Sequence, residues 1–379
     1  MTNPTTSTTD ERSPSDDAPD EVDPDTGEVI ADADLPETPE DLPIRPASEL
    51  KPEEENDGTS SLLGQVRTGV FEDVPMEQYH AHPAVSRSML AEYAECDEYL
   101  RHRLQERTVW EPSRDEESSD ALSTGRAAHL KLLEPKKAET TFRMAPDRCE
   151  AETNSGDRCS NSPKALFEGE DGTERFLCGT HARGLDEHPD LDMMTRSRAE
   201  TVEGICAAAR ADDQIRQYLQ QPGRAELSVV TTTKRGLPLR ARPDWLTADP
   251  NRGTWTILDL KTCSDAHPKA VERAISRHGL WLQAILYPMV VQQEIGVWPE
   301  FLFAFVEKEP PHATQVYRIG PEDRAGIRHR TRELISEVSE KLWTGHWTGY
   351  DVSAHTDTVR RVSMKPWDKA KLGIPDVEV

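Results

Sequence analysis

The chain has 379 residues, enough for one large domain or two small ones, and carries 70 acidic against 45 basic residues for a formal net charge of −25. So acidic a total excludes a protein that coats nucleic acid non-specifically, although screening over about 8–10 Å leaves room for a local basic groove. It has neither an apolar run of about 18 residues nor a basic N-terminus followed by an apolar stretch, so the sequence reads as a soluble, cytoplasmic protein with no membrane partner.

The charge is concentrated at one end. Residues 1–60 hold 19 Asp and Glu against 3 Lys and Arg, among many Thr, Ser and Pro. Such a segment buries too little apolar surface to offset chain ordering, and we read 1–65 as a disordered acidic tail. Ordered sequence is expected from about Gly69, with Ser86 or Ser88 capping a helix that carries Met89, Leu90, Tyr93 and Tyr99. After a charged linker at Glu111–Asp120, STGRAAHLKLLEP reads as a short helix capped by Ser123 or Thr124 and stopped at Pro135. His129 lies inside it. Alone, a helical His is more often a hydrogen-bonded core residue than a ligand.

Residues 149–181 form a separate constellation. Cys149, Cys159, Cys178 and His181 are spaced C-x9-C-x18-C-x2-H in a stretch rich in turn residues and poor in apolar ones. Four soft ligands in a coreless segment point to a structural Zn²⁺, which would supply the folding energy the segment lacks, against the alternatives of unrelated thiols or a disulfide, the latter disfavoured in a cytosolic chain. Cys96, Cys206 and Cys263 are scattered and read as ordinary small side chains.

A helix is predicted over Arg196–Gln220, then a β-branched strand in AELSVVTTTKRG, with Glu226 at its start. Glu226 is a candidate acidic ligand, although a Glu at a strand start is more often simply solvated. Leu237–Leu246 and Trp255–Lys261 then read as two arms of a hairpin around the turn-forming TADPNRGT. Asp259 and Lys261 are two apart on the second arm and leave the same face, roughly 6–7 Å apart. Asp244 on the first arm can reach the same place. On spacing alone an Asp-x-Lys pair is more often a surface ion pair. Here it ends an apolar strand and precedes a long predicted helix, Pro268–Val291, that bears Gln283 and Tyr287 on one face. Two strands, FLFAFVEKE and ATQVYRIG, and a helix at Pro321–Trp343 follow, which indicates an α/β domain with a mixed central sheet flanked by helices.

Taken together, YHAHPAVSRSML, GRAAHLKLLEP, the RPD of Arg242–Asp244, LDLKT of Leu258–Thr262 and LQAILY of Leu282–Tyr287 resemble the PD-(D/E)XK nuclease superfamily. The resemblance is to the exodeoxyribonuclease VIII (RecE-type) nuclease domain, a relative of the lambda-type exonucleases. It spans about Phe71–Trp343 and implies a restriction-endonuclease-like core over 66–345; the zinc-binding segment at 149–181 interrupts that core and departs from the family's pattern, and a C-terminal extension follows at 346–379. It further implies metal-assisted hydrolysis of DNA from the ends of linear duplex, in recombination or repair, with self-association and a single-strand annealing partner. Catalytic roles fall on Asp244, Asp259 and Lys261. The ligands of Mg²⁺ or Mn²⁺ fall on His129, Asp244, Asp259 and the carbonyl of Leu260. Support or DNA contact falls on Ser86, Ser88, Gln283, Tyr287 and Glu226. Two other classes stay open: a DNA-end-binding protein on the same fold that does not cut, and a zinc-containing adaptor for DNA or protein.

Overall fold

The structure is a computed structural model that describes residues 35–50, 66–106, 120–153, 155–169, 172–183, 191–349 and 371. The described chain runs β1 (Ile44–Pro46), β2 (Gly69–Glu72), α1 (Met76–Ala81), α2 (Arg87–Glu95), α3 (Asp97–Glu106), α4 (Asp120–Leu133), α5 (Pro135–Thr141) and β3 (Phe142–Met144). It continues through β4 (Ala165–Glu168), β5 (Glu174–Leu177), β6 (Asp192–Met194), α6 (Arg196–Ala211), α7 (Asp213–Leu219), β7 (Gly223–Ala225), β8 (Ser228–Thr232) and β9 (Pro238–Ala241). It closes with β10 (Trp245–Asp249), β11 (Thr254–Cys263), α8 (Pro268–Arg277), α9 (Leu280–Ile295), β12 (Glu300–Glu307), β13 (Thr314–Tyr317) and α10 (Pro321–Thr344).

The central sheet has the order β13-β12-β11-β10-β7 and is mixed: β11 and β12 run parallel and the other pairs are antiparallel. A parallel pair needs a crossover, and α8 and α9 supply it. β11 is buried without a break from Trp255 to Leu260 because helices cover both of its faces, which is why apolar residues occur on both faces of the strand rather than on one. Successive side chains leave opposite faces. Ile257, Phe303 and Phe305 pack with Leu282, Leu286 and Val290 of α9 and Leu334 of α10. Leu258, Leu260 and Ala304 pack with Ala127 and Ala128 of α4 and with Ile205 and Cys206 of α6. Asp259 and Lys261 therefore extend the Ile257 face toward α9, while Leu260 faces α4.

A second sheet, β1-β2-β8-β9, stands beside the first. It corrects the expected hairpin. Leu237–Leu246 is not one arm: β9 pairs with β8, the chain bends at Arg242–Asp244, and only Trp245–Asp249 pairs with β11. Pro243 has no N–H to place in a ladder, so the bend falls there. Glu226 likewise begins no strand but sits between β7 and β8 with φ 53°, a left-handed value uncommon outside Gly.

The acidic tail needs the same kind of correction. Residues 35–50 are folded onto the domain: β1 runs parallel to β2, and Leu42 and Leu50 are buried. A handful of apolar residues suffices when a free sheet edge accepts their backbone. Residues 1–34, 51–65 and 107–119 lie outside the described residues, the last range taking in 111–119 of the expected linker. At the other end, Thr348 and Gly349 of the expected C-terminal extension donate backbone N–H groups to Asp97 at 2.9 and 2.7 Å, beside an ion pair from Lys341 at 2.9 Å.

Three helix boundaries also differ from expectation. Gly279, at φ 58°, breaks the long helix after β11 into α8 and α9, and Asp212 caps α7 and so divides the helix expected over Arg196–Gln220. Ser123 and Thr124 fall inside α4 instead of capping it. Because Leu50 is about 1% exposed within the cluster of Phe71, Val74 and Val230, Leu50→Ala should destabilise the fold by about 2–5 kcal/mol in chemical denaturation. An unchanged unfolding midpoint would mean that this segment does not pack on the domain.

Candidate active site

Pairing between β10 and β11 stops at Trp245 opposite Leu258. Two residues further along β11, the backbone of Leu260 faces the side that β10 has vacated. A buried N–H and C=O there must find other partners. Asp244, just past the Pro243 bend, accepts the Leu260 N–H on its Oδ2 at 2.8 Å, and the Leu260 carbonyl lies 2.6 Å from His129 Nε2. The end of one strand pairing thereby fixes two of the expected site residues. Gly125 lets α4 come close enough for this, since a Cβ at that position would stand 3.0 Å from Thr262 Oγ1.

His129 is a neutral imidazole. Burial first, then the Lys261 charge, lower its pKa to about 4. With Nε2–H donated to the Leu260 carbonyl, Nδ1 bears a lone pair, and it faces Asp244 Oδ2 at 3.4 Å. Two acceptors face each other, an arrangement that calls for a proton or a cation between them. A backbone carbonyl fixing one ring nitrogen so that the other can ligate is also the usual setting of a metal-bound His. The Leu260 carbonyl, expected as a ligand itself, meets His129 through one of its two lone pairs.

Glu226 completes this group. His129, Glu226 and Asp244 offer ligand atoms all within 4.8 Å of one another. The bend between β7 and β8 places Glu226, its N–H bonded to the Asp244 carbonyl at 3.1 Å and its Oε2 to Arg242 Nε at 2.9 Å. Arg242 in turn stacks over the Tyr79 ring.

Asp259 stands next to this group and is held differently. It is fully buried, accepts from Gln283 Nε2 at 2.6 Å and pairs with Lys261 Nζ at 2.5 Å. Burial first, then repulsion from Asp244, raise its pKa to about 6 against the pull of Lys261. Burial and Asp244 push Glu226 up to about 7, and burial raises Asp244 as well. Burial opposes the charge on Lys261, but Asp259 and Asp244 outweigh it and raise the ammonium pKa. Three carboxylates thus crowd around one lysine and one arginine, with negative charge in excess.

The other expected residues lie at the margins. Ser86 caps α2 by accepting from the Met89 N–H at 3.4 Å and contacts the Ser88 hydroxyl at 3.0 Å. Between them is Arg87, which the sequence reading passed over. Its charge reaches both Lys261 and Tyr287, and its guanidinium donates to the His278 carbonyl at 3.0 Å. Tyr287 is half-buried against Phe301. Buried Arg240 was also missed. It donates to the carbonyls of Tyr79, His82 and His80 and so ties the turn before α2 to β9. An Arg in an alternating strand gave no local sign of that.

Residues 86–360 match a family model described as a PDDEXK-like domain of unknown function (DUF3799). The chain belongs to that family. Its α/β core is therefore a nuclease-like fold of the PD-(D/E)XK superfamily. Among solved structures, a protein from Eubacterium rectale provisionally named an exonuclease aligns with a TM-score of 0.46 and 14% identity, over 78% of this chain and 96% of its own. Protein VC1899 from Vibrio cholerae aligns with a TM-score of 0.19 and 12% identity, over 59% and 54%. No curated protein matches.

The raised carboxylate pKa values have a consequence for stability. Asp259 and Glu226 hold protons more tightly folded than unfolded, where carboxylates titrate near about 4. The native state thus binds the extra protons, and stability falls as pH rises from about 4 to 7. Thermal melts of the metal-free chain should show this decline. Mg²⁺ or Mn²⁺ should restore stability more at pH 7.5 than at 5.5, and Glu226→Gln should flatten the curve. A melting temperature insensitive to pH and metal in the wild type would remove the case for a cation at these carboxylates.

Proposed function

We propose that this PDDEXK-like chain is a divalent-metal-dependent deoxyribonuclease that hydrolyses phosphodiester bonds from the ends of linear double-stranded DNA, in recombination or repair. The observation that carries the reading is the convergence, at the end of β11, of the acceptor set His129, Glu226 and Asp244 with the Asp259–Lys261 pair. Buried carboxylates in excess of their cations suit a divalent ion.

The groups that would hold the ion are Asp244, Asp259, Glu226 and His129 Nδ1. Oxygen ligands suit Mg²⁺, and the imidazole leaves room for Mn²⁺. When bound, the ion would polarise the scissile phosphate and lower the pKa of a water. The protein's own part is positioning and charge. Gln283 and Lys261 hold Asp259 from two sides, so its carboxylate cannot turn away. Lys261, protonated because Asp259 and Asp244 favour its charge, orients the attacking water and stabilises the negative charge that develops on the phosphate. Arg87, close enough for its charge to be felt at Lys261, adds a second cation for the DNA backbone.

A purified sample with Mg²⁺ or Mn²⁺ should degrade end-labelled linear duplex and spare covalently closed circles. Asp244→Ala and Asp259→Ala should abolish cleavage. Lys261→Ala should leave DNA bound and lower hydrolysis by roughly 10²-fold or more. If the wild type binds linear ends and leaves them intact, the fold serves as a binding module and the proposed activity fails. Cutting of closed circles at an equal rate would replace the exonuclease with an endonuclease.

A further inference from the structure

The chain between β3 and β6 leaves the nuclease-like core as a loop and returns to it. Its two ends are pinned side by side: Phe142, Arg143 and Met144 pair in parallel with Asp192, Met193 and Met194, and Ala145 N–H closes onto the Met194 carbonyl at 2.8 Å. Among the described residues between them there is almost no core. The β4–β5 hairpin, only four residues on each side, contributes Phe167 and Leu177, and the other buried members of the cluster are Cys149, Cys159 and Cys178. An isolated two-stranded hairpin is marginal in water at best.

We propose that this insertion is folded by one Zn²⁺, held by the Sγ atoms of Cys149, Cys159 and Cys178 and by Nδ1 of His181. Their ligand atoms all lie within 4.8 Å of one another. The separations are those of a tetrahedron's edges. Zn–S bonds of about 2.3 Å and a Zn–N bond of about 2.0–2.1 Å place two sulfurs about 3.7 Å apart and sulfur and nitrogen about 3.5 Å apart. In the structure Cys159 Sγ and Cys178 Sγ are 4.0 Å apart, Cys149 Sγ and His181 Nδ1 3.6 Å, and Cys178 Sγ and His181 Nδ1 3.4 Å. All three cysteines are free thiols, so no disulfide competes for them.

The backbone around the four ligands is arranged for thiolates. Cys178 N–H points at Cys149 Sγ at 3.3 Å, and Asn161 Nδ2 at Cys178 Sγ at 3.7 Å. Both are donors to sulfur, as a negatively charged ligand requires. The turn Cys178–His181 is closed by the His181 N–H on the Cys178 carbonyl at 3.0 Å. Arg158 clamps the first ligand's loop, donating to the carbonyls of Cys149 at 3.2 Å and Arg148 at 3.0 Å. Soft sulfur ligands favour zinc over the hard cations suited to the carboxylate site. The ion is thus a separate structural one, and because β3 and β6 anchor the insertion at its base, losing it should unfold the insertion and leave the α/β core standing.

The test uses the full chain purified without added zinc. Metal analysis should find about one zinc per chain. Cys178→Ser should lose it, His181→Cys should keep it by offering a fourth thiolate, and Asp244→Asn should keep it because the carboxylate site is elsewhere. Hydrogen exchange after a mercurial displaces the ion should show loss of amide protection within 146–183, with β11 and α9 still protected. Zinc-free wild type, zinc that follows Asp244→Asn instead of Cys178→Ser, or a folded His181→Cys chain without metal would each overturn the proposal. None of these readings depends on whether the chain cuts DNA.

Discussion

The candidate site depends on an unmet hydrogen-bonding requirement in the middle of a sheet. Once β10 turns away at Pro243, the Leu260 N–H and C=O are buried without a strand partner. Leaving both unsatisfied would cost on the order of a few kcal/mol. Asp244 and His129 satisfy them, and in doing so are held opposite each other across the strand end. The proline of the motif and its aspartate thus act together. One ends the ladder, and the other occupies the gap that results.

The same strand carries the fold and the chemistry by the simple alternation of its side chains. Ile257 packs against α9, and Asp259 and Lys261 follow on that face where the apolar layer gives way to Gln283. The layer packed against α9 thus sets the orientation of the two charged groups. Burying three carboxylates so close together works against folding, and the raised pKa values record that opposition. Other parts of the molecule offset it. Arg242 pairs with Glu226 and stacks on Tyr79, and Arg240 fastens the turn that delivers α2 and Arg87 to the site.

Glu226 illustrates how strain and function coincide. A non-Gly residue at φ 53° is unfavourable, and it persists where its surroundings over-determine it. Here the N–H bond to the Asp244 carbonyl and the ion pair with Arg242 hold it in place. The bend turns the carboxylate toward His129 and Asp244, which a straight strand would not do.

Much of this was legible in the linear chain, because periodicity and motif chemistry are local. The apolar residues of β11 with Asp259 and Lys261 at their end, the apolar bulk and Gln283 of the following helices, and the spaced Cys149, Cys159, Cys178 and His181 of the insertion all stand out as residue types at intervals. Tertiary structure decided what no interval encodes. Glu226 stands 18 residues before Asp244 and His129 stands 115 before it; the resemblance alone set His129 beside Asp244, and the sheet's arrangement brings Glu226 to them. The split of Leu237–Leu246 between two sheets depends on which edges were free to pair, and the ordering of residues 35–50 on β2 offering one of them. Composition alone led to reading that segment as part of a disordered tail. Its order comes from hydrogen bonds and buried surface supplied by β2 and its neighbours, and those partners are distant in sequence.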